Sequence, residues 1–152
     1  MMMRTHLALV ILAIMLFLPS VSSGFVFIFT TLIATLLPDI DSGFSSIGKM
    51  KPGRFIQFFV RHRGIFHSFT LCIIVSALFA IILPIFAFPF FLGYSMHLLA
   101  DSFTVEGIRP FWPLKAGSSW KLRTGSKLET TFFICLVIID FLIFIFLVKN
   151  YF

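Results

Sequence analysis

Charged residues are scarce in this chain of 152 residues, where Asp, Glu, Lys and Arg together make up 12% of the sequence. Hydrophobic residues reach 59%, Phe alone occurs 23 times, and the mean hydropathy is +1.07. Soluble globular proteins carry about twice that share of charge and bury only part of their apolar residues. The composition therefore excludes an ordinary soluble protein and predicts an integral membrane protein of one domain, 1–152.

Cysteines are also few, since only Cys72 and Cys135 occur, and both lie inside apolar runs. A cysteine there usually behaves as a small hydrophobe, so no disulfide framework is expected. The formal net charge is +6, but Lys and Arg lie in segments between apolar runs, as in cytoplasmic loops of membrane proteins. We therefore expect the lipid bilayer as a partner and no nucleic acid. A glycine-rich phosphate loop and a Ser-His-Asp signature of known spacing are both lacking.

The apolar runs predict five helices. Leu7 to Pro38 has no charged residue, and as one helix it would be about 48 Å long, against a hydrocarbon core of about 30 Å. Pro19 and Gly24 interrupt it, which predicts two short helices, about Arg4 to Leu18 and about Phe25 to Leu37.

The second uncharged run, Ile65 to Ala100, is divided by Pro84 and Pro89 into another hairpin, and Thr130 to Val148 forms a last helix. The predicted fold class is all-α. It is a polytopic integral membrane helical bundle with about five transmembrane helices, arranged as two hairpins plus a C-terminal helix.

The distribution of basic residues predicts the orientation of this bundle. The polar loops 42–64 and 105–128 carry five Lys or Arg each, Arg4 adds one, and the two hairpin tips carry none. Because cytoplasmic loops are rich in Lys and Arg, we expect a multi-pass protein of the cell membrane whose N-terminus and large loops are cytoplasmic. A rival interpretation takes Arg4, the apolar run and the sequence before Gly24 as a secretory signal peptide, whose cleavage would remove His6.

On this topology, the polar side chains cluster near the cytoplasmic membrane face. They are His6, Asp39, Asp41, His62, His67, His97, Asp101 and Glu129, contributed by the adjoining ends of all five predicted helices. Asp140 alone is deep, about 16 Å further along the last helix than Glu129, and no partner for it is evident. Ionisable groups near a membrane are costly and tend to be functional, so the cluster predicts a site.

Two pairs of polar residues can each be interpreted in two ways. His97 and Asp101 are spaced i, i+4 and share one face of a helix, where they can bind one divalent ion or form a hydrogen bond without metal. Asp39 and Asp41 can converge on a cation if the chain turns there, or they can simply begin a loop.

The stretch Arg61–Ser68 contributes two more histidines. His62 and His67 are spaced i, i+5, so they converge only if the chain turns at Gly64 and the helix begins near Ile65. Arg63 is then a candidate for holding an anionic oxygen, although it can equally anchor the loop at the membrane. Glu129 is a candidate metal ligand or general base, or a first-turn acid favoured by the helix dipole.

Three motifs together resemble one family. LLPDIDS at Leu36–Ser42, HRGIFHS at His62–Ser68 and GYSMHLLADSFT at Gly93–Thr104 are similar to the YdjM-type, LexA-regulated family of membrane-bound metal-dependent hydrolases. The resemblance implies that the first helix is retained and that His6 matches the family's N-terminal histidine. Gly93–Thr104 is also similar to the histidine-to-aspartate helix of zinc-dependent bacterial phospholipases C, which suggests phosphoester hydrolysis.

The sequence thus leads to the hypothesis of a membrane-bound metal-dependent hydrolase of a phosphoester or lipid-like substrate. The expected cofactor is a divalent metal, zinc by preference, whose effect is to lower the pKa of a bound water towards 7. The expected ligands are His6, Asp39, Asp41, His62, His67, His97 and Asp101. Arg63 would hold substrate, and Asp39 or Glu129 would take the proton. A non-enzymatic metal-binding or metal-transport protein is the alternative, and a structural protein with hydrogen-bonded histidines is a third.

Overall fold

Five α-helices form the fold in a computed structural model that describes residues 1–41 and 64–151. The helices are α1 (Met3–Phe17), α2 (Gly24–Leu36), α3 (Phe69–Ile82), α4 (Pro84–Ser102) and α5 (Lys127–Tyr151). Short 3₁₀ turns follow α1 (Leu18–Ser20) and α2 (Pro38–Asp41) and precede α3 (Ile65–His67). The described ranges contain no β-strand beyond two isolated bridges, so the all-α class is confirmed for them.

The helix boundaries follow the predicted breaks with two corrections. The sequence places the start of the third helix near Ile65, but α3 begins at Phe69, because Ser68 is extended and its hydroxyl caps the helix by accepting from the Leu71 amide. Pro89 was expected to help divide the second hairpin, yet it lies inside α4 and only the Leu83–Pro84 junction breaks the chain. In the second turn of a helix, a proline removes one backbone bond without ending the helix.

Two described helical stretches are long and apolar enough to cross a membrane, Met3–Ser20 and Lys127–Asn150. The α2 and α3 helices are apolar but have only 13 and 14 residues. Most side chains of α5 are exposed, including Ile138, Phe141 and Phe146. Within the described ranges, length and composition thus support two spans, and the five-span arrangement remains a prediction.

The α2 and α4 helices approach each other closely. A Cβ on Gly93 would lie 2.1 Å from the backbone oxygen of Thr31, so only glycine permits this approach. The Thr35 hydroxyl lies 3.3 Å from the Gly93 oxygen across the same contact. Because Thr35 is one turn before Asp39 and Gly93 is one turn before His97, the contact brings these two residues to the same end of the helix pair.

The remaining helices flank this pair. The α3 helix packs on α4 through a core of Cys72, Phe90, Tyr94 and Leu98, and α1 packs against α2, α4 and α5. Between α4 and α5 the chain folds over the same end of the bundle, held by the isolated bridges Thr104–Leu122 and Ile108–Ser118. The helix ends that carry the polar side chains therefore lie at the same end of the bundle as this connection.

Candidate metal centre

Residues from α1 and α4 form one side of the cluster. The rings of His6 and His97 stack almost parallel with centroids 4.1 Å apart, and His6 Nε2 lies 3.3 Å from Asp101 Oδ1. His97 Nε2 lies 3.6 Å from the other oxygen of the same carboxylate, Oδ2. All three residues are buried. The i, i+4 spacing of His97 and Asp101 therefore does place both on one helix face, directed towards α1.

Asp39 and His67 complete the cluster from the two 3₁₀ turns. His67 Nε2 lies 3.8 Å from Asp39 Oδ1 and 3.6 Å from Asp101 Oδ2. His97 Nε2 lies 3.7 Å from Asp39 Oδ1. The two imidazole nitrogens thus each face both carboxylate oxygens. Two groups of three residues bring their ligand atoms within 4.8 Å of one another, and His97 belongs to both. The groups are His6–His97–Asp101 and Asp39–His67–His97.

The local sequence explains how His67 reaches this position. The Ser68 hydroxyl donates to the Ile65 carbonyl oxygen at 2.6 Å, which closes the turn before α3. The Tyr94 hydroxyl donates to the Phe66 carbonyl oxygen at 2.6 Å and ties the same turn to α4, one turn before His97. Ser68 and Tyr94 were not among the predicted site residues. For Tyr94, the sequence signal is its position one helical turn before His97.

The hydrogen bonding of the cluster is incomplete for a purely structural core. Both ring nitrogens of His97 and Nδ1 of His6 are buried with no hydrogen-bond partner in the described part of the chain. Buried polar side-chain atoms nearly always have a partner, because an unpaired one costs about 1–3 kcal/mol. The separations of 3.6–3.8 Å between His and Asp atoms are too long for good hydrogen bonds.

The same separations suit a shared metal ion. Zinc binds imidazole nitrogen and carboxylate oxygen at about 2.0–2.2 Å, so neighbouring ligand atoms lie about 3.0–3.5 Å apart. The four His-to-Asp separations would need to shorten by only a few tenths of an ångström. Two neutral imidazoles and two carboxylates also suit a borderline divalent cation better than Ca²⁺ or Mg²⁺, which prefer oxygen alone. The residues present therefore fit a divalent metal.

Glu129 occupies a separate, fully satisfied position. Its Oε1 accepts hydrogen bonds from the Met2 amide at 2.6 Å and the Thr5 hydroxyl at 3.1 Å, and its Oε2 accepts from the Gly125 amide at 2.6 Å. Its own amide donates to the Ser126 hydroxyl at 3.3 Å, as in a helix capping box. Glu129 belongs to neither ligand group and instead joins the start of α5 to α1. The S-x-x-E spacing of Ser126 and Glu129 was the sequence signal for this role.

For three other predicted positions, the structure describes no side chain. His62 and Arg63 lie outside the described residues, and for Asp41 only the backbone, in the 3₁₀ turn after α2, is described. Their proposed roles stay predictions. Asp140 lies far along α5, and its buried Oδ1 has no hydrogen-bond partner among the described residues.

The family comparison covers the whole cluster. The family model described as "YdjM inner membrane protein" matches residues 1–150. The chain belongs to the YdjM inner membrane protein family. The match confirms the resemblance that the three motifs indicated. The matched range also includes α1 with His6 and α5 with Glu129. No curated protein and no solved structure matches the chain significantly.

Membership of the YdjM family supports the assignment of this chain to the inner membrane. It agrees with the two helices that are long and apolar enough to cross a bilayer.

Proposed function

We propose that this chain is a membrane-embedded, metal-dependent hydrolase whose His and Asp cluster holds a divalent cation, zinc by preference. The observation that carries the proposal is His97 Nε2. This buried nitrogen has no hydrogen-bond partner among the described residues and lies 3.6 and 3.7 Å from two carboxylate oxygens. A neutral imidazole in that position offers its lone pair to a cation, and the two carboxylates balance the cation's charge.

Four side chains are the proposed primary ligands. His67 and His97 offer Nε2, Asp39 offers Oδ1 and Asp101 offers Oδ2, the atoms that the four His-to-Asp separations join. His6 faces the remaining oxygen of Asp101 and orients that carboxylate, or it binds a second ion with His97. His62 and Asp41 stay candidate ligands on the strength of the motifs alone.

The exposure and charge of each side chain suggest its role in hydrolysis. A bound zinc ion would supply Lewis acidity and an activated water. The Asp39 side chain is 20% exposed, against 3% for Asp101, so Asp39 is the carboxylate on the accessible side that can take up a proton. Arg63 is suited to hold an anionic substrate oxygen, because its guanidinium matches phosphate geometry. Glu129 is left with a positioning role because its oxygens are already bonded.

The proposed setting is a five-span bundle with the N-terminus and both large loops in the cytoplasm. The distribution of Lys and Arg supports it, as do the two helices long enough to span. In that orientation the cluster opens at the cytoplasmic membrane face, where an amphiphilic phosphoester can present its polar group without leaving the bilayer. The role of His6 in the cluster requires that α1 be retained rather than cleaved.

Hydrolysis by the detergent-purified protein tests the proposal. The wild type should release product from phosphoesters, lose activity after chelation and regain it on addition of zinc. Asp39→Asn should lower kcat by about 10²- to 10⁴-fold, as loss of a general base does. Ser102→Ala serves as the control variant and should keep wild-type activity, because the half-buried Ser102 hydroxyl bonds only the Leu99 carbonyl oxygen of its own helix among the described residues. A purified, zinc-loaded wild type without activity on any phosphoester would overturn the hydrolase proposal.

Metal transport is the second candidate function, and Asp140 favours it. A transporter places polar groups along a path through the bilayer. Asp140 is a polar residue in the middle of the long α5 helix, and its buried Oδ1 has no hydrogen-bond partner in residues 1–41 and 64–151. Transport predicts zinc uptake by proteoliposomes that Asp140→Asn abolishes. Hydrolysis without uptake, unaffected by Asp140→Asn, distinguishes the enzyme from the transporter.

A further inference from the structure

An apolar cavity of about 370 Å³ lies beside the metal cluster, between α1, α4, α5 and the connection before α5. Its walls include Leu9, Leu99, Phe103, Trp120 and Phe132. This volume falls in the range of small-molecule pockets, but such pockets usually carry several polar groups, and this lining is almost wholly apolar. The cavity therefore suits a hydrocarbon chain rather than a polar metabolite.

Two lining residues connect the cavity to the cluster. Ala100 lines it and immediately precedes Asp101, and Met1 lines it while its backbone nitrogen lies 2.6 Å from Asp101 Oδ1. A molecule whose chain fills the cavity would thus have its polar end within reach of the proposed metal. The apolar cavity and the ionic cluster are therefore neighbours, joined through Ala100 and Met1.

The membrane can supply that chain. Leu9 and Phe132 belong to the two helical stretches that are long and apolar enough to span, so a bilayer would lie next to two of the cavity's walls. Trp120 is 65% exposed and packs near Phe103, with ring centroids 6.0 Å apart, as expected of aromatic residues at a membrane interface. The exposed Lys121 and Arg123 flank the lining residue Leu122 and favour an anionic head group.

We propose that the cavity binds one acyl chain of an anionic phospholipid and presents its phosphodiester to the metal cluster, which makes that lipid the substrate class. This inference rests on the proposed hydrolase function for the reaction, but the acyl-chain site can be tested without it. The reaction adds water across one phosphoester bond. The phosphorus gains the hydroxyl oxygen, and the leaving alkoxide takes the proton.

Fluorescence quenching tests the acyl-chain site directly. The chain has two tryptophans, so the full-length Trp112→Phe protein reports on Trp120 alone. In detergent micelles, phosphatidylglycerol brominated on its acyl chains should quench Trp120 saturably, and unlabelled phosphatidylglycerol should reverse the quenching. The Trp120→Phe protein, which reports on Trp112, should show only weak quenching proportional to added lipid. Unsaturable, equal quenching of both tryptophans would mean simple micelle mixing and would overturn the proposal.

A cavity-filling substitution sharpens the test. Leu99→Phe in the Trp112→Phe background should weaken lipid binding about tenfold, since it displaces about two methylenes of the chain. Leu78→Phe is the matched control, because Leu78 on α3 is 53% exposed and lies outside the cavity. Leu122→Phe fills the same cavity from the connection before α5. It replaces Leu99→Phe in the test if the Leu99→Phe protein does not fold. Unchanged binding in folded cavity variants would contradict the assignment.

Metal content and a water-soluble substrate separate this inference from the hydrolase proposal. Leu99→Phe should retain bound zinc and hydrolysis of bis(p-nitrophenyl) phosphate while losing hydrolysis of phosphatidylglycerol. Equal loss on both substrates would argue against an acyl-chain role. Absence of hydrolysis in the wild type would defeat the hydrolase proposal, and the quenching result would still decide whether the cavity binds lipid.

Discussion

At the scale of the residue, the two kinds of buried acid in this protein differ in what surrounds them. Asp101 faces histidine nitrogens at 3.3–3.6 Å and the Met1 nitrogen at 2.6 Å, whereas Glu129 accepts three hydrogen bonds from amides and a hydroxyl. Asp101 Oδ2 lies 3.6 Å from His97 Nε2, which is too far for a good hydrogen bond, whereas both oxygens of Glu129 accept short ones. Both acids lie near a helix end, but Asp101 is therefore a candidate ligand and Glu129 a structural anchor.

Glu129→Gln should destabilise the protein without emptying the metal site. The amide has one acceptor oxygen in place of two, and its NH₂ group would face a backbone donor, either Gly125 or Met2. We expect the free energy of unfolding to fall by about 1–3 kcal/mol, measured by denaturation in mixed micelles with circular dichroism. Zinc content per folded chain should stay at the wild-type level. Loss of zinc with unchanged stability would instead support Glu129 as a ligand.

At the scale of the element, the sequence predicts where helices occur better than how they meet. Charge-free runs and the breaks at Pro19 and Pro84 were sufficient to predict five helices. The capping of α3 by Ser68 and the continuation of α4 through Pro89 depend on local hydrogen bonds that periodicity does not reveal. The spacing of His97 and Asp101 predicted a shared face, but only the tertiary contact between α2 and α4 determines that Asp39 joins them.

Gly93→Ala tests this helix contact. The added methyl would lie 2.1 Å from the Thr31 oxygen, which is backbone and cannot rotate away, so α2 and α4 must separate. We expect a loss of stability of about 1–3 kcal/mol, as for overpacked cores, together with weaker zinc binding because Asp39 and His97 move apart. Thermal unfolding in detergent and zinc titration measure the two effects.

Gly24→Ala is the matched control for that substitution. The methyl would lie 3.1 Å from the flexible end of the Leu18 side chain, which can move. Its stability and zinc affinity should stay close to wild type. A Gly93→Ala protein with unchanged zinc affinity would show that the α2–α4 contact does not position the cluster.

At the scale of the whole molecule, the account requires that both large loops and the N-terminus share one side of the membrane. The hairpin tips carry no Lys or Arg, whereas the loops carry most of them. The packing of α1 against α5 and of α2 against α4 brings together ends that such a topology places on one face. Composition predicts this arrangement, but the spans shorter than about 20 residues cannot be assigned to the bilayer by length alone.

Accessibility of single cysteines tests the topology. In a background without Cys72 and Cys135, Ser22→Cys at the first hairpin tip should react with a membrane-impermeant thiol reagent in intact cells. Ser118→Cys in the connection before α5 should react only after permeabilisation. Both serines are exposed, so burial does not limit labelling. Labelling of Ser118→Cys in intact cells would place the cluster on the opposite face.

Metal analysis of the detergent-purified wild type tests the central claim most directly. Elemental analysis should find about one zinc per chain, or two if His6 helps to bind a second ion. His97→Ala and Asp101→Asn should each fall below about one tenth of that content while remaining monodisperse and helical, and Ser102→Ala should keep it. Wild-type protein that contains no divalent metal, and acquires none on incubation with zinc, would contradict the account.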